Sequence, residues 1–431
     1  MGKINVITLG CAKNRVDSEH LSARLAAAGY RVVFDSDRTD AKTVVINTCG
    51  FIGDAKQESI DTILDAVAAK NAGRIDRLFV IGCLSERYAD ELRHEIPEVD
   101  QYFGARDLKG IVDVLEADKR EELDTQRLLS TPKHYAYLKI GEGCNWKCGY
   151  CAIPLIRGPH VSVPFEKVVE EAERLASAGV KELLVIARDT TYYGLDLYGR
   201  RRLAELLERL CRIDGIEWIR LHYAYPTGFP EDVIEVMARE PKICKYLDLP
   251  LQHISDSQLA AMKRRHTKAE AYALIDKLRK AMPGMALRTT LMVGYPGESE
   301  ADFEELKQFV RDVRFERMGV FAYSEEEGTY SAEKLHDDVP QQVKEQRVDE
   351  LMALQRGISA QLNRKRTGRE ERVIIDSKQG DYYIARSQYD SPEVDQEILI
   401  PADCKRLHRG TFHTVVITAA DDYDLYGELE S

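Results

Sequence analysis

Cys144, Cys148 and Cys151 fall within the segment Gly141-Glu142-Gly143-Cys144-Asn145-Trp146-Lys147-Cys148-Gly149-Tyr150-Cys151, with three and then two residues between the thiols. The segment follows a strand-like run from Tyr135 to Gly141, so the three sulfurs converge on one tight loop at a strand end. Electron-transfer iron–sulfur clusters normally take four cysteines and structural zinc takes four protein ligands. Three thiolates on a four-iron cluster leave one iron without a protein ligand, and an open iron implies a bound substrate. The competing reading is a zinc knuckle completed by His160 or His134.

Three more cysteines share a pattern. Cys11 follows the run Val6 to Gly10, Cys49 follows Val44 to Thr48, and Cys83 follows Phe79 to Gly82. Each therefore lies just past the carboxyl end of a predicted parallel strand, the edge at which open α/β sheets form their ligand crevice. Residues 38 and 34 positions apart can meet there around one object, and a second three-thiolate cluster is the inference. The alternative, ordinary small buried hydrophobes, is assigned to Cys211, Cys244 and Cys404, which have no comparable context.

The elements that must position these residues form three groups. A chain of 431 residues with 44% apolar content can bury two or three cores. In residues 1–125, apolar runs (4–9, 43–47, 78–82) alternate with amphipathic helical stretches (18–28, 57–71, 86–95), which predicts a doubly wound α/β domain. In residues 130–366, strands near 135–141, 181–187, 217–223, 246–251, 287–294 and 317–323 alternate with helices. Six βα units suggest an open or partial barrel, which would place chemistry at its carboxyl strand ends. Val348, Leu351, Ile358 and Leu362 at helical spacing mark a connecting helix over 341–366. In residues 367–431, short strands near 372–376, 382–386, 397–400 and 412–419 predict a small β-barrel. No apolar stretch reaches 18 residues and the N-terminus has no signal-like segment, so a cytoplasmic protein with reduced cysteines and no membrane contact is expected.

The central triad resembles that of the radical S-adenosylmethionine superfamily. That likeness implies a [4Fe-4S] cluster whose open iron binds the methionine group of S-adenosylmethionine, giving a 5′-deoxyadenosyl radical on reduction. With Leu9-Gly10-Cys11-Ala12-Lys13-Asn14, Asn47-Thr48-Cys49-Gly50-Phe51, Gly82-Cys83-Leu84 and a terminal β-barrel, nearly the whole chain is similar to the methylthiotransferases, whose terminal module is called TRAM. The transfer RNA branch of that family usually has glutamine and methionine where Ala12-Lys13 stand, and serine where Gly50 stands. The wording here favours the branch that adds a methylthio group to the β-carbon of an aspartate in small-subunit ribosomal protein S-twelve. The resemblance implies a second [4Fe-4S] cluster on Cys11, Cys49 and Cys83, S-adenosylmethionine as both radical source and methyl donor, a sulfide source and an electron donor. It also implies that Tyr150 and Ile153-Pro154 lie near the adenine, and that Arg188-Asp189, Gln252, Arg288 and the loop opening at Gly294 line the pocket. Arg188 stands where the family usually has glutamine. Two other readings are a transfer RNA enzyme of the same chemistry and a non-catalytic iron–sulfur or zinc protein.

Charge separates these readings. The net charge is −12. Residues 367–431 hold 14 Asp and Glu against 7 Lys and Arg, a net −7. An acidic module repels a phosphate backbone and suits a lysine-rich protein, so no stable nucleic-acid binding is expected. The basic clusters at 263–266 and 363–366 are read as solvated helix ends.

Overall fold

The computed structural model describes residues 2–37, 40–403 and 405–430. Cys404 lies outside them. Strands β1 (Lys3–Thr8), β2 (Arg31–Phe34), β3 (Thr43–Thr48), β4 (Arg77–Gly82) and β5 (Gln101–Gly104) form a parallel sheet in the order β2-β1-β3-β4-β5. All six residues of β3 are buried, as expected of a β-branched run covered on both faces. The chain moves outward in opposite directions from β1 and β3, so the topological switch point, where ligand crevices form, lies between them. Edge strands β2 and β5 were not legible in sequence. Each has only four residues; β2 is half exposed and β5 ends in glycine, so neither carries a sustained apolar signal. The helix expected over 86–95 is two, Cys83–Arg87 and Ala89–Glu95, broken at Tyr88.

All six expected central strands are present. They are β6 (Tyr135–Lys139), β9 (Glu182–Ile186), β10 (Trp218–Leu221), β11 (Ile243–Asp248), β12 (Ala286–Val293) and β13 (Arg317–Ala322), with a short ribbon of β7 (Gly141–Glu142) and β8 (Val161–Ser162) between the first two. The order β13-β12-β11-β10-β9-β6 is wholly parallel and open. Helix Ala12–Ala27 of the first domain lies against β6, where Val16 packs with Tyr135, Tyr137, Leu184 and Ile186. Buried Arg127 reinforces this contact by bridging Glu19 and Glu171. Helix Gln341–Arg364 covers β13 at the other edge, burying Leu351 and Ile358.

The C-terminal strands β14 (Glu370–Gln379), β15 (Tyr382–Ser387), β16 (Ile398–Pro401), β17 (Phe412–Ala420) and β18 (Leu425–Leu429) close into a barrel around Val373, Ile375, Ile398, Ile400, Val415 and Ile417. This barrel docks at the amino ends of the central strands, opposite the cysteine triad. Glu182, the first residue of β9, accepts hydrogen bonds from Arg220 (2.8 Å) and Arg386 (2.7 Å), and Trp218 and Tyr246 pack against Ile374 and Phe412. Docking consumes part of the acidic charge: Asp390 and Asp395 pair with Arg317 and Arg288, and Asp376 is bonded to His134 at 2.7 Å. The cluster at 363–366 is a solvated helix end only at Arg364 and Lys365, which are exposed. Asn363 is buried and Arg366 pairs with Glu371 at 2.5 Å.

Candidate active site

The triad loop is held by its backbone before any ligand is added. Gly143 turns it at φ +71°, where a Cβ would lie 2.0 Å from the Pro159 carbonyl oxygen. Cys144 N–H donates to the Gly158 carbonyl (3.0 Å) and Gly149 N–H to the Met262 carbonyl (2.8 Å). Trp146 stacks on Tyr225 with ring centroids 4.0 Å apart, and its indole N–H donates to Asp189 at 2.7 Å. The other Asp189 oxygen accepts from Thr191 N–H, Thr191 O–H and Tyr225 N–H. All three thiols are partly exposed. Burial pushes the Cys144 thiol up to about 11 and the Cys151 thiol up to about 12, with Cys148 adding to both. Metal binding would have to displace these protons.

Arg264 completes the surroundings. It lies over the Tyr225 ring at 4.2 Å, donates to the Pro250 carbonyl at 2.5 Å and approaches the Cys148 sulfur at 3.8 Å. Arg265 faces Trp146 and His266 is 4% exposed. Of the basic cluster at 263–266, Arg264 thus packs beside the triad and His266 is buried, while Lys263 and Arg265 are exposed, so the reading as a solvated end holds for only two of the four.

The first domain's cysteines lie at the carboxyl ends of β1, β3 and β4, beside the switch point. Cys11 precedes helix Ala12–Ala27, Cys49 follows β3, and Cys83 opens helix Cys83–Arg87. Gly10, at φ +83°, presses so closely on Cys49 that a Cβ there would lie 2.8 Å from its sulfur. Burial pushes the Cys49 thiol up to about 11, with Cys11 and Cys83 contributing. Burial acts in the same direction on Cys11, but Arg188 and Lys13 outweigh it and bring that thiol below its usual value. Arg157 donates to the Cys83 sulfur at 3.4 Å, to Asp17 at 2.9 Å, to Asn14 at 2.6 Å and to Glu142 at 3.2 Å. One buried guanidinium thus ties this trio to the loop carrying the other.

The donors suit iron–sulfur clusters better than a single ion. Among the described residues no three His, Cys, Asp or Glu side chains converge as one metal ion requires. Three thiolates on separate corners of a cluster stand farther apart than three on one ion. His160 is bonded through Nε2 to Ser162 (3.1 Å) and His134 through Nε2 to Asp376 (2.7 Å), and the Nδ1 of each is without a partner. Cys211 and Cys244 are buried in apolar cores, as expected of small hydrophobes.

The remaining expected residues divide. Tyr150 lies within electrostatic reach of Cys148 and Cys151, and Ile153 opens the helix that follows the triad. Gln252 holds a left-handed φ of +73° and its side chain has no hydrogen-bond partner among the described residues, which leaves it free for a ligand. Asp189 is wholly occupied by the protein and positions Trp146. Arg288 is committed to Asp248 (3.3 Å) and Asp395 (3.4 Å). Gly294 makes a tight turn where a Cβ would lie 2.2 Å from Lys344. Arg188 lies within electrostatic reach of Cys11 and Cys49 and also of Cys144 and Cys151, between the two trios. Sequence reasoning missed Arg157, Arg264 and the Trp146–Tyr225 stack; only Lys13, two residues after Cys11, carried a local signal.

Comparison with known proteins fits this division of the chain. Residues 138–310 match the Radical SAM superfamily, residues 3–104 the uncharacterized protein family UPF0004 and residues 367–429 the TRAM domain. The methyltransferase TsrM of Kitasatospora setae shares the fold with a TM-score of 0.57 at 13% identity, covering 75% of each chain. The ribosomal protein uS12 methylthiotransferase RimO of Phocaeicola vulgatus is 55% identical over 426 residues, 99% of either chain. That of Flavobacterium johnsoniae is 56% identical over 427 residues, 99% of this chain and 98% of its own. This chain belongs to the RimO family of ribosomal protein uS12 methylthiotransferases.

Proposed function

We propose that this chain is a radical S-adenosylmethionine enzyme that adds a methylthio group to the β-carbon of an aspartate in ribosomal protein uS12. The observation that supports this reading is that Arg157 bonds both Cys83 of the first domain (3.4 Å) and Glu142 of the loop carrying the triad (3.2 Å). In this reading residues 1–125 carry Cys11, Cys49 and Cys83 as ligands of one [4Fe-4S] cluster, residues 130–366 carry Cys144, Cys148 and Cys151 as ligands of another, and residues 367–431 form the TRAM barrel. When bound, the second cluster with S-adenosylmethionine supplies a radical able to take hydrogen from an unactivated carbon, and the first supplies the sulfur to be transferred.

The chain's own residues then bind and orient. Tyr150 and Ile153 border the nucleoside side of the triad, and the free amide of Gln252 offers hydrogen bonds to S-adenosylmethionine. Asp189, Gly294 and Arg288 act one step back: Asp189 fixes Trp146, Gly294 turns the loop after β12, and Arg288 holds Asp248. A sulfide source and an electron donor complete the partners, in the cytoplasm. Among the described residues no helix is long and apolar enough to cross a membrane.

Mass spectrometry of uS12 and of transfer RNA from a deletion strain tests the substrate. Loss of the methylthio mass from uS12 with transfer RNA unchanged is the expected result; the reverse would overturn the reading. The N-terminal cluster has its own test. Gly10→Ala would force a left-handed backbone, costing about 1–2 kcal/mol, and drive a methyl group into Cys49. Anaerobically reconstituted Gly10→Ala is expected to lose iron from the first cluster, falling from about eight irons per chain toward about four. Full iron content would count against that cysteine trio as a cluster site.

A further inference from the structure

Two basic side chains at this site, buried Lys13 and half-buried Arg188, have neither a carboxylate partner nor a hydrogen bond among the described residues. Lys13 is 1% exposed, yet no carboxylate lies within ion-pair distance among the described residues, and its ammonium group rests over the Tyr223 ring at 2.8 Å. Arg188 has no hydrogen bond or ion pair among the described residues, and its buried Nε is without a partner. Arg127, Arg157, Arg220 and Arg386 are each buried against at least one carboxylate, and Arg264, which has none, donates to the Pro250 carbonyl. A desolvated charge is costly unless paired, and two adjacent basic groups without a carboxylate between them suit an incoming anion.

The carboxylates nearest to the pair are already committed. Glu142 bonds Lys139 (3.0 Å) and Arg157 (3.2 Å). Asp248 bonds Arg288 (3.3 Å) and the Tyr223 N–H (3.2 Å). Tyr223 itself is held in a left-handed conformation at φ +56°, rare for an aromatic residue, and this places its ring beneath the Lys13 ammonium. Such strain collects at binding sites because the surrounding structure must maintain it. Lys13, two residues after Cys11, thus reaches from the first domain onto Tyr223 of the central sheet, with Arg188 at the carboxyl end of β9.

We propose that Lys13 and Arg188 form the seat for the side-chain carboxylate of the aspartate being modified. The inference rests on the functional reading above. In aspartate the carboxylate is bonded directly to the β-carbon, so gripping it fixes the reacting carbon one bond away. Two cations also give a reason for choosing aspartate over its neutral isostere asparagine, which cannot match them.

The test is binding of a labelled peptide carrying the uS12 target loop, with aspartate or with asparagine at the target, to the reconstituted full-length protein. Wild type is expected to prefer the aspartate peptide by about tenfold or more, as charge-assisted hydrogen bonds would give. Lys13→Met and Arg188→Gln should each bring the ratio toward one while leaving the asparagine peptide's affinity within about twofold, and Arg188→Lys should keep more of the preference than Arg188→Gln. The internal ratio separates a lost seat from general damage. A wild-type ratio in both neutral variants would overturn the proposal. So would equal weakening of both peptides, or lost iron with the preference intact, since the cations would then serve the fold or the clusters. A wild type that modifies uS12 while these variants keep its preference sinks only the seat; one that neither binds nor modifies uS12 sinks the functional reading as well.

Discussion

Cys148→Ala is expected to abolish methylthiolation of uS12, lowering turnover by at least about a thousandfold, because no residue of this site can substitute for a group lost from a unit that acts together. The aspartate β-carbon is unactivated, and Lys13, Arg188, Tyr223 and the carboxylates around them can do only polar chemistry. The variant should hold about four irons rather than about eight and should not cleave S-adenosylmethionine on reduction. The fold should survive. Cys148 lies on a loop pinned by backbone bonds from Cys144 and Gly149 and by the Trp146–Asp189 bond, none of which uses its thiol. The experiment is iron and sulfide analysis with chromatographic detection of 5′-deoxyadenosine; cleavage at the wild-type rate would remove the triad from the initiating role.

Arg157→Met is expected to produce the largest loss of stability of any substitution near the site. The side chain is 1% exposed and bonds Asp17 and Glu142 at once. Removing one partner from a buried ionic network leaves uncompensated charge and typically costs about 3–5 kcal/mol. Two carboxylates would then share only Lys139. Because Asp17 belongs to the first domain and Glu142 to the triad loop, the loss should appear as earlier release of the first domain in denaturant, followed by fluorescence and by the first cluster's signal. Asp17→Asn in the same chain should restore part of the loss. An unchanged unfolding curve would show that the domains are held elsewhere.

The same network predicts a pH dependence. Burial opposes ionisation of Glu142, but Lys139 and Arg157 together hold its carboxyl well below the usual range. A carboxyl depressed in the folded state contributes stability above its unfolded pKa of about 4.3, and loses it as pH falls through the lower folded value. Wild type should therefore weaken below about pH 4, and Arg157→Met should show less of that dependence.

Much of this protein was legible without coordinates, for local reasons. Cysteines three and two residues apart must meet whatever surrounds them, and fully apolar β-branched runs between amphipathic helices read as parallel strands. The strand-end rule then carried Cys11, Cys49 and Cys83 to one edge, since each is fixed by its own strand. Weak local signals failed. The edge strands Arg31–Phe34 and Gln101–Gly104 have too few buried residues to announce themselves. The run Lys263-Arg264-Arg265-His266 looks solvated because charge alone cannot say that Arg264 packs on Tyr225, a residue 39 positions away.

The sequence by itself determined the two thiol trios, the three-part order of the chain and the class of chemistry, because each depends on spacing along the backbone or on the ends of individual strands. Only the tertiary structure decided how the trios are joined and what lies between them. Arg157 links Cys83 and Asp17 to Glu142, Asp189 is spent on Trp146, and Lys13 and Arg188 are left without a carboxylate partner among the described residues. Whether a buried charge is satisfied depends on residues more than a hundred positions away, and no local pattern records that.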